Sequence, residues 1–187
     1  MKKTFLIVMA LLMCLTCLAE LPAYTYTGTN KIEAAVAEYS AGFGANYLQE
    51  AVNVTIPAPV ILKVKMADNG HANVYGNFWH FNYTLRGDVL LCVSGGAAPG
   101  VMELEKAENG WKVVSCKIAG DGSDYAKDIA RFSTGDRELE KLYAASGDVY
   151  SDPLLSARTN SVREYVKANG LKIRAYQDEY WPEIPIN

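Results

Sequence analysis

The sequence predicts an α+β domain: an N-terminal helix packed on a curved antiparallel meander sheet, followed by a C-terminal helical segment. Three observations predict this class. Apolar residues recur at three- and four-residue spacing after residue 30, the period changes to two between Val54 and Ile118, and helix-capping residues return after residue 120. No repeat or linker interrupts residues 20–187, so we predict one domain there.

Residues 1–19 have the pattern of a cleaved signal peptide. Two lysines precede an apolar run over residues 5–15, which is too short to span a bilayer comfortably. Small residues at Cys17 and Ala19 predict cleavage after Ala19, and hence a secreted, periplasmic or cell-envelope protein. A lipid anchor on Cys14 or Cys17 is the alternative.

The charge of the chain argues against one class of partner. Removing the predicted signal peptide takes away two of the 18 basic residues and none of the 21 acidic ones, so the formal net charge changes from -3 to -5. A nucleic-acid binder needs a basic surface to displace counterions, so we predict no nucleic-acid partner. Nothing after residue 20 is apolar for long enough to cross a membrane. We also predict no cofactor and no metal.

The first predicted helix begins at Lys31, where Thr29 or Asn30 can cap it. Its apolar stripe consists of Ile32, Ala35, Val36, Tyr39 and Phe43. Gly42 and Gly44 weaken the end of this helix.

The central strands have a register that the turns predict. One strand covers Val60 to Val64, and the next runs from about Asn73 to Leu85. If Gly87-Asp88 is a two-residue turn, Leu85 faces Leu90 and the neighbouring pair is Tyr83 with Cys92. The core face then carries Trp79, Phe81, Tyr83, Leu85, Leu90 and Cys92. The opposite, partly buried face carries Phe78, His80, Asn82, Thr84, Leu91 and Val93.

The second hairpin permits two registers. A two-residue Asn109-Gly110 turn would place Leu104 opposite Ser115 and would mix apolar and charged groups on one face. A three-residue loop over 108–110, with Gly110 in the left-handed conformation, avoids this mixture, so we prefer it. This register puts Met102, Leu104, Val114, Cys116 and Ile118 on one face, and Glu103, Glu105, Val113, Ser115 and Lys117 on the other.

Capping residues define three helices in the C-terminal segment. Ser123 or Asp124 can cap the first, which runs through Phe132, and Asp136 opens the second. The third begins at Ser151-Asp152-Pro153, with proline at the first helical position, and ends at Asn169-Gly170. We expect the aromatic remainder, residues 171–187, to be extended and to dock on the domain.

A helix followed by an antiparallel meander resembles the cystatin-like and nuclear-transport-factor-like folds. The stretches 109–114 (NGWKVV), 165–170 (YVKANG) and 176–178 (YQD) are similar to small exported proteins of gut bacteria. The resemblance implies a pocket between helix and sheet, which some members use for binding and others for catalysis. It carries no site residue over to this chain. The Gln-x-Val-x-Gly loop of the protease-inhibiting cystatins is absent from the sequence.

Two cysteines lie beyond the predicted signal peptide, Cys92 and Cys116. An exported protein can oxidise such a pair. The predicted strand over 101–106 separates them by about 10 Å, beyond the roughly 7 Å limit for a disulfide, which favours free thiols. A bulge or another strand order would permit the bridge.

His80 is the histidine that lies within a predicted strand. The register places Cys92 on the opposite face of the sheet, so these two residues do not form a nucleophile and its base. An acid-base role for His80 with Glu103 or Glu105 stays open as an alternative.

An acidic turn follows the strands. Its members are Asp121, Ser123, Asp124 and Asp128. They can attract a hard cation, but they lack the spacing of a calcium loop, and helix capping accounts for them better.

Our leading hypothesis is an exported, non-catalytic binding domain for a small molecule or a peptide. The candidate ligand-binding residues are Trp79, Phe81 and Tyr83, as a pocket under the first helix, or Phe78, His80 and Trp111 on the other side. A hydrolase-like or isomerase-like enzyme that uses His80 with an acidic neighbour is the first alternative. The second is a structural or interaction protein of the cell envelope, with an exposed apolar patch at Trp111, Val113 and Trp181.

Overall fold

The computed structural model describes residues 21–45 and 52–186, and within them the chain has the predicted α+β class. The predicted signal peptide, its cleavage after Ala19 and the anchor at Cys14 or Cys17 lie outside the described residues. The elements are, in chain order, α1 (Lys31–Ala45), β1 (Val54–Met66), β2 (His71–Arg86), β3 (Val89–Gly96), β4 (Pro99–Ala107), β5 (Gly110–Ile118), α2 (Ser123–Ser133), α3 (Arg137–Ser146), α4 (Asp152–Ala168), β6 (Ala175–Asp178) and β7 (Ile184–Pro185). No described helix has the length and apolar character needed to cross a membrane.

The sheet is built around β2, the longest strand. One side of β2 pairs with β1 over Ala72–Tyr83. Its other side is shared, because β3 pairs with His80–Arg86 and β4 pairs with His71–Asn77. The predicted meander is therefore wrong at this point: β3 and β4 follow one another along β2 and do not form a hairpin. The physical reason is length, since β2 has 16 residues and β3 only 8.

The first hairpin has the predicted register. Leu85 pairs with Leu90, and Tyr83 pairs with Cys92. The register shifts between Asn82 and Tyr83. Asn82 pairs with Ser94, so Val93 is the extra residue of a bulge. The turn chemistry of Gly87, which has a φ of 64°, determines this pairing locally.

Both faces of the sheet are covered, and this corrects the predicted layering. The aromatic face packs on α4, in a cluster that includes Trp79, Phe81, Tyr83, Leu154, Val162 and Tyr165. The opposite face packs on α1, in a cluster that includes Ala35, Val36, Ala72, Val74, Phe78 and Met102. The predicted pocket under the first helix therefore has no aromatic set in it. Phe78, His80 and Asn82 are buried, whereas we predicted that their face is only partly buried. The reason is that β2 carries large side chains on both faces, and a helix packs on each face.

The second hairpin combines features of both predicted registers. The turn is formed by residues 108 and 109, so Ala107 pairs with Gly110, and Leu104 pairs with Val113. A shift then leaves Val114 unpaired, after which Met102 pairs with Cys116, as we predicted. The bulge turns Val113 towards the α1 face and leaves Val114 exposed, which reverses our assignment of these two residues. Gly110 has a φ of 158°, not a left-handed value.

The helix boundaries follow the predicted caps with one exception. The side chain of Asn30 accepts hydrogen bonds from the backbone N–H groups of Ile32 and Glu33, and Asp136 accepts one from Leu139. α4 begins at Asp152, so Pro153 is its second residue and not the first as predicted, and Gly170 follows its end with a φ of 61°. Neither Ser123 nor Asp124 caps α2, because Gly122 occupies the N-cap position and no side chain bonds there.

The C-terminal remainder docks on the domain as a strand. β6 pairs with β3 in parallel, and β7 pairs with β6. A parallel neighbour needs a long crossover, which the three helices α2 to α4 supply together with the strands that precede them. Tyr176 is buried, whereas Tyr180 and Trp181 are exposed.

Candidate functional site

The described residues line an open cavity of about 500 Å³ at the gap between the end of β3 and the start of β4. The lining consists of Phe43 from α1, Asn77 and His80 from β2, the link 97–99, Ile118 at the end of β5, residues 119 and 121 after it, Tyr125 from α2 and Gly147 after α3.

The cavity lies where the two strands that pair with this side of β2 do not meet. β3 ends at Gly96 and β4 begins at Pro99, which has no backbone N–H group to continue the ladder. The backbone N–H of Phe78 still donates to the carbonyl oxygen of Ala98 at 3.1 Å, so the link stays attached to β2. Two alanines, 97 and 98, form this link, and their small side chains leave the space unfilled.

His80 forms one wall of the cavity and is 7% exposed. Its ring lies between two glycines, because a Cβ atom on Gly44 or on Gly96 would stand 3.1 Å from a ring carbon. The ring centroid of Phe43 is 6.2 Å away. Burial lowers the pKa of His80, so the imidazole is neutral at pH 7. Its Nδ1 atom is buried and has no hydrogen-bond partner among the described residues.

Asn77 is fully buried on the face of β2 opposite to His80, and contacts with α3 fix its orientation. Its Nδ2 atom donates to the hydroxyl oxygen of Ser146 at 2.6 Å and to the carbonyl oxygen of Tyr143 at 3.4 Å. The hydroxyl of Ser146 in turn donates to the carbonyl of Leu142. Because the amide nitrogen is used in this way, Oδ1 is left as the free end, and it has no partner among the described residues.

Asp121 is the exposed acidic member of the lining. Its neighbours in the acidic turn have other partners: Asp124 pairs with Lys127, and Asp128 pairs with Arg131 and accepts a hydrogen bond from the backbone of Gly120. No ion pair within the described part of the chain involves Asp121. The turn does not collect metal ligands, since no group of three or more candidate ligands occurs among the described residues.

The predicted aromatic candidates lie away from this cavity. Trp79, Phe81 and Tyr83 are core side chains beneath α4, and the first two stack with ring centroids 5.9 Å apart. Phe78 is buried under α1, and Trp111 packs partly buried at the edge of the same cluster. Of the six predicted ligand-binding residues, the structure places His80 alone on the cavity.

The predicted partners of His80 are at the far end of the sheet. Glu103 pairs with Asn73 and lies 3.5 Å from His71, and Glu105 pairs with His71 itself. Asn73 precedes His80 by seven residues on the same strand, which corresponds to about 23 Å. The acid-base pairing of His80 with either glutamate is therefore wrong.

The two cysteines are free thiols, as we predicted. The reason differs from the predicted one. Cys92 packs on the α4 side of the sheet and Cys116 on the α1 side, so the sheet itself separates them. Burial raises the pKa of Cys92 to about 12 and that of Cys116 to about 11. Neither thiol is a nucleophile near neutral pH.

A buried arginine is the group that our sequence reasoning missed. Arg158 is 2% exposed, and its Nε donates to the hydroxyl of Tyr83 at 2.7 Å. Its two terminal nitrogens donate to the carboxylate of Asp178 at 2.9 and 2.6 Å, and the guanidinium lies 3.9 Å from the ring centroid of Phe81. Burial raises the pKa of Asp178, but the hydrogen bonds and charge of Arg158 outweigh it and hold that pKa below its usual range. The cluster is fully paired and attaches β6 to α4.

One signal in the sequence points to this arginine. Leu154, Arg158 and Val162 are spaced four residues apart, so they share the face of α4 that packs on the sheet. A charged residue on an apolar face requires a buried partner.

No family model, no curated protein and no solved structure matches this chain. The resemblance to cystatin-like and nuclear-transport-factor-like proteins stays a prediction.

Proposed function

We propose that this protein is a binding domain that holds a small molecule in the cavity between β3 and β4. One observation carries the proposal: Oδ1 of Asn77 and Nδ1 of His80 are buried at this cavity without hydrogen-bond partners. A buried polar atom without a partner costs about 1–3 kcal/mol. An occupant that donates a hydrogen bond to either atom recovers part of that cost.

The size and composition of the cavity agree with a small occupant. A volume of about 500 Å³ is within the range of small-molecule sites, and the lining combines apolar side chains with polar groups. Because both unpartnered atoms are buried, an occupant reaches them when side chains of the lining rotate.

Binding is favoured over catalysis by the surroundings of His80. A general base is normally oriented by a second hydrogen-bonded group, and the described residues supply no such group to its ring. The interaction-protein alternative loses two of its three residues, because Trp111 and Val113 pack against the α1 cluster. Trp181 stays exposed beside Tyr150, at a ring distance of 5.1 Å.

The test is a titration followed by two-dimensional ¹H–¹⁵N NMR spectra. The probes are 2-phenylethylamine, 2-phenylethanol and phenylacetate at millimolar concentration, which share a phenyl group and differ in charge. We expect at least one probe to shift the amide signals of residues 97, 98 and 118–121.

A blocking variant and its control locate the effect. Ala97→Phe places a ring in the cavity, and Ala168→Phe adds the same ring at an exposed position at the end of α4. We expect Ala97→Phe to abolish the shifts and Ala168→Phe to leave them unchanged. Silence from all three probes, or unchanged titration of Ala97→Phe, would overturn the proposed function.

A further inference from the structure

The charges around the cavity bear on the class of its occupant. Among the described lining residues, Asp121 is the one that carries a formal charge at neutral pH, and lysine and arginine do not occur in the lining. His80 is neutral there. An anionic occupant would find no cation to neutralise it, and burying an unpaired charge is costly.

Asp121 has a free carboxylate in a neighbourhood where the other acids are paired. Asp124 has Lys127, and Asp128 has Arg131. The amino end of α2 lies at the same turn and carries a partial positive charge, but Asp121 and Asp124 precede or begin that helix and offset it. The mouth of the cavity therefore has a local excess of negative charge.

The remaining groups of the lining suit an ammonium ion. A primary ammonium offers three N–H donors and no acceptor. The lining offers the carboxylate of Asp121 as its charged acceptor. Oδ1 of Asn77 and a ring nitrogen of the neutral His80 are neutral acceptors on opposite faces of β2, so one ammonium group does not use both. The rings of Phe43 and Tyr125 also line the cavity, and aromatic faces attract cations.

We infer that the occupant of this cavity is a small primary amine in its cationic form, with an apolar part that packs on Phe43 and Tyr125. The inference rests on the proposed function, because it assigns a ligand class to the same cavity. An alcohol of the same shape supplies a single donor and no charge, whereas a carboxylate supplies no donor and carries a negative charge.

The experiment compares dissociation constants for the three phenyl probes at pH 7 and low ionic strength. We expect 2-phenylethylamine to bind about tenfold more tightly than 2-phenylethanol, and phenylacetate to bind most weakly. Asp121→Asn should weaken the amine by about threefold, the size of an exposed ion pair, and leave the alcohol unchanged. The matched control, Asp68→Asn, removes an exposed carboxylate from the β1–β2 turn, and it should change neither constant.

The outcomes separate the two claims. If the alcohol or phenylacetate binds as tightly as the amine, or if Asp121→Asn weakens all three probes equally, the amine inference fails and the binding function stands. If none of the three probes binds, the proposed function itself fails. Thermal unfolding of Asp121→Asn at the wild-type temperature establishes that the variant is folded, as its exposed position leads us to expect.

Discussion

Replacing Asp178 by asparagine leaves the guanidinium of Arg158 buried without the carboxylate that neutralises it. Arg158 is 2% exposed, whereas the side chain of Asp178 is 31% exposed. Removing one member of a buried ion pair costs about 3–5 kcal/mol, and the partial exposure of Asp178 places this case near 3 kcal/mol. The charged partner that stays behind cannot reach water.

The reverse substitution should cost less. Arg158→Met removes the guanidinium that lies over the rings of Phe81 and Tyr176, and the thioether that replaces it is compatible with aromatic neighbours. Asp178 can hydrate through its exposed side, so the loss consists mainly of the hydrogen bond to Tyr83, about 1 kcal/mol. The double variant should be more stable than Asp178→Asn, because no buried charge is left.

Urea denaturation at pH 7, followed by tryptophan fluorescence and by far-ultraviolet circular dichroism, measures the free energy of unfolding of the four proteins. The expected order of stability is wild type, Arg158→Met, double variant close to it, and Asp178→Asn last. Arg158→Met at or below the stability of Asp178→Asn, or losses that add in the double variant, would refute this reasoning.

Three further results are expected. Because burial lowers the pKa of His80, the unfolded chain binds a proton first as the pH falls below about 6.5. As the pH falls further towards the pKa of His80 in the folded protein, the free energy of unfolding decreases by at most about 1.4 kcal/mol per pH unit. The urea midpoints of His80→Gln should lack this decrease, and parallel pH profiles of the variant and the wild type would contradict the expectation. Gly44→Ala should lower the free energy of unfolding by about 1–3 kcal/mol, since its Cβ would stand 2.4 Å from a methyl group of β1. Gly42→Ala has nothing within 4 Å of its Cβ and should raise the free energy of unfolding by about 0.5–1 kcal/mol. Cys92 and Cys116 should react slowly with a disulfide reagent at pH 8 and rapidly once urea unfolds the chain, because burial raises the pKa of both thiols; fast native labelling would contradict their burial.

The candidate site was predictable only in part. His80 was identified because it is a titratable residue in an aromatic strand, and it does line the cavity. The sequence around Asn77 contained no signal of its role, because its burial depends on partners on α3 that are 66 and 69 residues away. Asp121 was noted as part of an acidic turn, but its position on the same cavity as His80 depends on where β5 ends relative to β2.

The sequence by itself determined the features that depend on a few neighbouring residues. Asn30 and Asp136 cap their helices, Pro153 lies in the first turn of α4, and Gly87 produces the pairing of Leu85 with Leu90. In each case the responsible contact spans at most five residues, so the pattern along the chain contains the whole cause.

Only the tertiary structure decided which helix covers which face, and where the strands end against β2. The alternation in β2 separates two sets of side chains, but both sets are large enough to be buried, and nothing local assigns α1 to one and α4 to the other. The contact of Arg158 with Tyr83 spans 75 residues, and the cavity arises because two short strands share the edge of one long strand. These arrangements depend on the total burial of many distant side chains, which a local pattern does not encode.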